Sequence, residues 1–183
     1  MKFLNFLGPR PIDRKSRKIY VSLVKQAREQ AFYLSFGVPD TPDGRFDMIV
    51  LHAFLLFRRF KQDHERTEAL GQAVFDLMFT DMDQNLREMG IGDLGVGKRI
   101  KGMAEGFFGR MEAYEKGLND VQELQNALKR NLFRKSTPSP SQVSAMAAYV
   151  QTEAARLDMI DMETLLAADI KFTPPSEDKA KQP

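Results

Sequence analysis

The chain has 183 residues, of which 43% are hydrophobic and 28% charged, and its formal net charge is +2. These values are ordinary for one soluble globular domain, and so small a net charge does not by itself indicate a nucleic-acid partner. The absence of cysteine excludes thiol catalysis, disulfide bonds and thiolate metal sites. Neither a membrane span of ~20 apolar residues nor a signal peptide is visible. We therefore expect a cytoplasmic protein, at most peripheral at the inner face of the cell membrane.

The first predicted helix begins at residue 13 and runs into the mid-thirties, because apolar residues recur at helical spacing. We expect residues 1–12 to be a flexible N-terminal segment. Between Arg10 and Arg28 there are seven cations and one carboxylate, which gives a local charge of +6. This stretch either binds an anionic membrane surface or ribosomal RNA, or is the solvated side of the helix. The candidate binding residues are Arg14, Lys15, Arg17, Lys18, Lys25 and Arg28.

Two prolines and two glycines mark residues 37–44 as a shaped loop. A few residues suffice to join two helices, so we expect this longer loop to shape a binding surface, with Asp40 and Arg45 as candidate contact residues. The second helix is predicted over residues 46–61 and the third over residues 65–89. Gly90 follows the third predicted helix, and glycine is the residue type favoured just after a helix C-terminus.

The clearest helical pattern predicts a fourth helix over residues 96–118. Its apolar stripe consists of Val96, Ile100, Met103, Phe107, Met111, Tyr114 and Leu118. A helix over residues 120–133 follows, and Ser139-Pro140-Ser141-Gln142 reads as a capping box that opens the next helix. A short helix near residues 162–168 precedes residues 173–183, a polar tail expected to be disordered. The predicted fold is all-α, a single compact domain of about six or seven helices over residues 13–172.

One motif has the spacing of a phosphate-binding loop without its chemistry. In residues 92–98, four residues separate Gly92 from Gly97, and Lys98 follows Gly97 directly. A working loop follows a strand and places serine or threonine after the lysine to hold magnesium. Here a predicted helix precedes the motif and Arg99 replaces the hydroxyl. We interpret it as a turn between helices whose glycines permit positive φ.

The remaining candidates for metal chemistry are also incomplete. Neither His52 nor His64 follows a glutamate at three residues, the pattern of di-iron helix bundles. We predict instead that His52, which lies between two apolar residues, is a hydrogen-bonded core histidine. The acidic run from residue 81 to 85 lacks the glycine and the final glutamate of a calcium loop. We expect no enzymatic activity, no cofactor and no metal.

The fourth helix has two features that indicate binding. Lys98, Arg99 and Lys101 crowd its first turn, where each cation opposes the helix dipole by about 0.3–1 kcal/mol. Either carboxylates of the same domain or an anionic partner should offset them. The carboxylates considered for this role are Asp81, Asp83 and Asp93.

The second feature is a ridge of small residues about 130° around the helix from the apolar stripe. An interior glycine costs about 1 kcal/mol relative to alanine, so the ridge needs a backbone packed closely against it. That backbone belongs either to another helix of the domain or to a helix of a client protein. The ridge consists of Gly102, Gly106, Gly109, Ala113 and Gly117, and Arg110 flanks it.

Two blocks of residues resemble the ubiquinol–cytochrome c chaperone family. The first block comprises Gly37-Val38-Pro39-Asp40-Thr41, Asp43-Gly44-Arg45-Phe46, Leu51-His52 and Arg58-Arg59. The second comprises Phe79-Thr80-Asp81-Met82-Asp83, Leu86-Arg87, Gly90-Ile91-Gly92-Asp93, Val96-Gly97-Lys98 and Gly109-Arg110. The resemblance implies an all-α assembly chaperone that binds newly synthesised cytochrome b and promotes biogenesis of the respiratory bc1 complex. Because no long N-terminal targeting extension is visible, the chain is similar to bacterial members, and the need for a small partner protein stays open.

Without the resemblance, the residues leave two other classes of function open. An all-α enzyme of quinone or isoprenoid metabolism requires a deep pocket with converging carboxylates. A ribosome- or RNA-binding module predicts strongly salt-dependent binding through the basic first helix.

Overall fold

The computed structural model describes residues 10–176, which contain eight helical segments and no strand. The helices are α1 (Pro11–Ala27), α2 (Gln30–Leu34), α3 (Pro42–Gln62), α4 (His64–Glu88), α5 (Asp93–Gly117), α6 (Val121–Asn131), α7 (Pro140–Asp158) and α8 (Met162–Leu166). Two of them, α2 and α8, have only five residues. The predicted all-α fold is confirmed.

Helix α3 lies at the centre of the domain and packs against α1, α4, α5 and α7. All seven residues from 50 to 56 are buried, so this segment has no solvent-facing side. A helix that is apolar all round is one that other helices surround. The remaining long helices are amphipathic and bury one stripe each, as the periodicity of α5 shows: Val96, Phe107 and Tyr114 are buried.

The first predicted helix is wrong in one respect, because the structure divides it into α1 and α2. Glu29 has extended backbone angles, with φ −58° and ψ 126°, and separates the two helices. The change of direction carries Phe32 into the core, where its side chain is fully buried. The hydroxyl of Tyr33 donates a hydrogen bond to the carbonyl of Ala27, which stabilises the corner.

The start of the second predicted helix is also wrong, because α3 begins at Pro42 and includes the end of the predicted loop. Thr41 is its N-cap, and the Thr41 side chain accepts a hydrogen bond from the backbone N–H of Gly44 at 3.1 Å. A Cβ atom at residue 44 would lie 2.0 Å from the carbonyl oxygen of Pro39. Only glycine allows this close approach of the loop to the first turn of the helix.

The turn between α4 and α5 corrects the interpretation of the glycine-rich motif. Gly90 has a φ of 81° and follows the helix end as predicted. Gly92 is the N-cap of α5 with φ −68°, and Gly95 and Gly97 lie inside the helix. The motif's own glycines therefore do not supply positive φ, and most of the motif is the opening of a helix that directly follows another helix.

The predicted capping box at the start of α7 is confirmed, and Asp120 is the N-cap of α6. Asp120 accepts hydrogen bonds from the backbone N–H groups of Gln122 and Glu123 at the start of α6. Ser139 and Gln142 form the reciprocal capping box that opens α7. These short-range patterns were readable because each cap bonds only to its own first turn.

The chain after α8 runs across the domain and hydrogen bonds to two helices. Ser22 of α1 donates to the carbonyl of Ile170 at 2.7 Å, and Gln26 donates to the carbonyl of Thr173 at 2.6 Å. The backbone N–H of Thr173 donates to Glu153 of α7. The predicted tail boundaries are therefore wrong, because Pro11 and Ile12 lie in α1 and Thr173 is bonded to two helices. Residues 1–9 and 177–183 lie outside the described residues, so the assignment of the remaining tails stays a prediction.

A buried hydrogen-bond network joins α1, α3 and α7. His52 is fully buried, and its ring nitrogens lie 2.8 Å from the Met48 carbonyl and 2.9 Å from the Tyr149 hydroxyl. Gln26 donates to the same hydroxyl at 3.0 Å. The prediction of a hydrogen-bonded core histidine is confirmed.

This network makes stability depend on pH. Burial lowers the pKa of His52 from 6.5 to about 4, so the folded state holds a neutral imidazole. The contribution of neutral His52 to the free energy of unfolding is fully present above pH 6.5. It is lost as the pH falls from 6.5 towards 4, because in this range His52 binds a proton in the unfolded chain and not in the folded protein. At pH 5 we expect a loss of about 2 kcal/mol from this residue. Urea unfolding of the wild type and His52→Gln at pH 7 and pH 5 measures it.

The His52→Gln variant is the control for every other group whose protonation changes between pH 7 and pH 5. We expect the free energy of unfolding to fall more steeply in the wild type than in His52→Gln. Parallel pH profiles for the two proteins would show that His52 is not the group responsible.

Candidate functional site

A buried carboxylate meets two arginines where α3, α5 and the segment after α6 converge. Asp47, whose side chain is 2% exposed, lies in the first turns of α3. Arg110 of α5 donates to it at 3.0 Å, and Arg134 donates to its other oxygen at 3.0 Å. Burial raises the pKa of Asp47, and the two guanidinium groups oppose that rise. We call these three residues the Asp47 cluster.

The Asp47 cluster changes the role assigned to Arg110. The sequence placed Arg110 on a binding surface beside the glycine ridge, but its side chain is 11% exposed and packs 5.8 Å from the ring of Phe46. It therefore connects α5 to α3 and is not presented to a partner. Sequence reasoning missed Asp47, although it lies three and four residues before Val50 and Leu51 and therefore shares a helix face with apolar residues, which indicates burial of its carboxylate.

A second layer of charges surrounds the cluster at the surface. Asp43 forms ion pairs with Lys135, at short distance, and with Arg134 at 4.0 Å. The hydrogen bond from Lys135 lowers the pKa of Asp43, and Arg134 and Arg99 lower it further. The first turn of α3 and the segment after α6 therefore form one charged surface, with Arg99 of α5 close by.

Several residues that carry the family resemblance stabilise the scaffold. Arg59 donates to Asp63 at 2.9 Å and to the carbonyl of Ile160 at 2.8 Å. Arg58 donates to Asp158 at 2.5 Å. Both arginines thereby join α3 to the end of α7, a role that explains why the motif needs guanidinium groups with several donors.

Asp40 and Arg45 remain at the surface. The two side chains form an ion pair at 2.7 Å, and both are more than half exposed. The hydrogen bond from Arg45 lowers the pKa of Asp40. Exposed ion pairs contribute little to stability, so this pair is available to a partner.

The predicted crowding of the first turn is wrong, because α5 begins at Asp93 and Lys98 and Arg99 lie in its second turn, where the helix dipole acts more weakly. Asp83 and Asp93 both pair with Arg87, and Asp81 accepts a hydrogen bond from Tyr20. None of these three carboxylates forms a salt bridge with the cations, so the offset by them stays a prediction. Among residues 10–176, Lys101 reaches only Glu105 at 3.9 Å, and neither Lys98 nor Arg99 makes a salt bridge.

The glycine ridge divides into an internal and an external part. At Gly117 a Cβ atom would lie 2.6 Å from the Cα of Leu124, so this end of the ridge packs against α6. At Gly102 and Gly109 a Cβ atom would meet nothing within 4 Å, and both residues are exposed. At Gly106 it would lie 2.8 Å from a guanidinium nitrogen of Arg110. The external part, Gly102 and Gly109, is the portion open to another molecule.

The basic residues of the first helix are all exposed on α1. Beside them, α1 and α4 enclose an open groove of about 840 Å³. The carboxylates that line it are Glu29 and Asp81, and Asp81 is already bonded to Tyr20. This groove does not have the converging free carboxylates that the enzyme hypothesis requires.

Within residues 10–176 no helix combines the length and the apolar character that a membrane span requires. No three histidine or acidic side chains of the same residues come together as a metal site.

The comparison with protein families decides the classification. The family described as "Ubiquinol-cytochrome C chaperone" matches residues 34–172, about three quarters of the chain. The chain belongs to the ubiquinol–cytochrome c chaperone family. The match includes α3 to α8, and with them the Asp47 cluster, the glycine ridge and the pair of His52 and Tyr149.

Relatives from animals and a bacterial structure agree with this assignment. The chain is 26% identical to ubiquinol-cytochrome c reductase complex assembly factor 1 of mouse over 93% of its own length, and 27% identical to the Xenopus laevis protein over 89%. It spans 60% of the mouse protein, 84% of the Xenopus protein and 56% of the human one. It is similar to the crystal structure of the Cbp3 homolog from Brucella abortus, with 39% identity and a TM-score of 0.81 over 92% of this chain and 93% of that one.

Proposed function

We propose that this protein is an assembly chaperone for the ubiquinol–cytochrome c reductase complex, and that its client is newly synthesised cytochrome b. The observation that carries the proposal is the similarity over almost the whole domain to the Brucella Cbp3 homolog, together with the assembly-factor names of the animal relatives. The buried ion pairs support a structural scaffold, and binding needs no reactive group. We infer that the protein is not an enzyme.

The client-binding surface that we propose combines the external part of the glycine ridge with the charges beside it. Gly102 and Gly109 leave the backbone of α5 open, which allows a second helix to approach closely. Lys98 and Arg99 form no salt bridge among the described residues and lie in the second turn of the same helix, where Arg99 is near Asp43. A transmembrane helix with an acidic or phosphate-bearing flank fits this arrangement.

Site-specific crosslinking in living cells tests the client. A photoreactive residue replaces Glu105, which is exposed on α5 beside the ridge and leaves both glycines in place, and the matched control replaces Asn126, which is exposed on α6. We expect cytochrome b to be captured from α5 and not from α6. Deletion of the gene should also lower the amount of assembled complex. A normal amount in the deletion strain would contradict the assembly function, whereas capture from α6 alone would contradict only the proposed surface.

The exposed pair of Asp40 and Arg45 provides a separate prediction. We expect Asp40→Ala and Arg45→Ala to reduce the amount of assembled complex while the melting temperature of the purified protein changes little, because the pair is exposed. Thermal unfolding and quantification of the complex measure the two effects. If either variant lowers the melting temperature by more than about 8 °C, the pair is a structural element of the loop.

A further inference from the structure

The cations of α1 lie together on the side of the helix that faces away from the core. At about 100° per residue, five of them fall within an arc of roughly 100° that is centred opposite the buried residues of α1. These five are Arg14, Arg17, Lys18, Lys25 and Arg28, and Lys15 lies beside them. From residue 14 to residue 28 the helix rise gives a length of about 21 Å. We call this surface the basic face of α1.

Two carboxylates, Glu29 and Asp81, line the groove beside the basic face, but neither forms a salt bridge with its cations among residues 10–176. Lys18 pairs with Asp169 at 3.4 Å. The other cations of the face make no salt bridge within residues 10–176, and Asp13 pairs with Arg10. Several like charges held on one rigid helix repel one another, so an anionic surface that lies along the helix would stabilise this arrangement.

The centre of the basic face is apolar. Val21 lies among the cations with 60% of its surface exposed. Val24 and Leu77 line the adjoining groove between α1 and α4, and Arg17, Lys25 and Arg28 line the same groove. At the surface of an anionic bilayer the cations would bind headgroups and the exposed valine would reach the acyl boundary, so both would be stabilised there.

We propose that the basic face of α1 docks the protein on the surface of an anionic lipid bilayer. RNA also offers phosphates, but single-stranded RNA is bound with exposed aromatic side chains on which bases stack. The aromatic residue of this helix, Tyr20, is 7% exposed and donates its hydroxyl to Asp81 at 2.8 Å. An exposed valine in the middle of the cations suits a lipid surface and contributes nothing to a phosphate backbone. This proposal concerns where the chaperone acts and does not depend on which client it binds.

Vesicle sedimentation with the full chain tests the proposal. We expect binding to vesicles of phosphatidylcholine with about one third phosphatidylglycerol, weak binding to phosphatidylcholine alone, and release at high salt. The triple variant Arg14→Gln, Arg17→Gln, Lys25→Gln should lower the partition coefficient roughly 100-fold, because each cation near such a surface contributes about fivefold.

A second triple variant is the matched control. Lys61→Gln, Lys129→Gln and Arg130→Gln remove the same total charge from exposed positions on α3 and α6. We expect this control to keep most of the vesicle binding. Equal loss in both triple variants would overturn the proposal, because binding would then follow net charge and not the face.

The apolar centre is tested by fluorescence and separates lipid from RNA. The protein has no tryptophan, so Val21→Trp introduces a single reporter at the centre of the face. We expect its emission to shift to shorter wavelength with anionic vesicles and not with polyuridylic acid. Tight binding to polyuridylic acid without binding to vesicles would overturn the proposal in favour of an RNA site. If the protein binds vesicles but the emission does not shift, a surface other than the basic face contacts the lipid, which would also overturn the proposal.

Discussion

Replacing Asp47 with alanine is expected to lower the free energy of unfolding by about 3–5 kcal/mol, the cost of breaking a buried ion pair by removing one partner. Arg110 is 11% exposed and would keep its charge without a carboxylate. Arg134 is more exposed and can turn towards water, so Arg110 accounts for most of the loss. For a chain of this size we expect the melting temperature to fall by about 10 °C. Thermal unfolding followed by circular dichroism measures it.

The control removes a carboxylate from an exposed ion pair. Asp83 pairs with Arg87 at 2.6 Å, and their side chains are 38% and 48% exposed. Asp83→Ala should change the melting temperature by no more than about 2 °C, because solvent screens an exposed pair. Equal changes in the Asp47 and Asp83 variants would mean that burial does not determine the strength of the Asp47 cluster.

Replacing Gly102 or Gly109 with leucine is expected to prevent complex assembly while the chaperone stays folded. Neither added Cβ atom meets another group within 4 Å, and leucine forms a helix better than glycine by up to about 1 kcal/mol. The larger side chain would hold a client helix away from the backbone of α5. The amount of chaperone and the absorbance of cytochrome b in the same cells measure the two effects. We expect an abundant chaperone and little assembled complex.

A third glycine of the same helix supplies the matched control. Gly97 is exposed, and a Cβ atom there also meets nothing within 4 Å. It lies roughly 150° around α5 from the ridge, so Gly97→Leu should leave assembly unchanged. Gly106→Leu is a poorer test, because its side chain would displace Arg110 and thereby disturb Asp47. Normal assembly in both ridge variants would exclude the ridge as the client surface.

The sequence determined the helices, most of their ends and the apolar stripe of α5. These features depend on contacts within a few residues: the Asp120 side chain bonds to N–H groups two and three positions later, and the Ser139 capping box closes within one turn. The sequence also identified the family, because its motifs are short runs. The beginning of α3 could have been read from Thr41 and the proline that follows it, which together form a recognised N-terminal signal.

Only the tertiary structure decided which polar residues serve the scaffold and which remain for partners. Arg110 and Arg45 are equally polar in the sequence, but Arg110 is buried against Asp47, 63 positions away, whereas Arg45 pairs at the surface five positions from Asp40. In the same way, the hydrogen-bond partner of the His52 Nε2 atom is Tyr149, which is 97 positions away. Helical periodicity predicts which side of a helix faces the core, but it does not specify the neighbouring helix that packs there. That choice depends on how all the helices bury their apolar surfaces together, and it determines the partners in pairs between helices, such as Asp47 and Arg110.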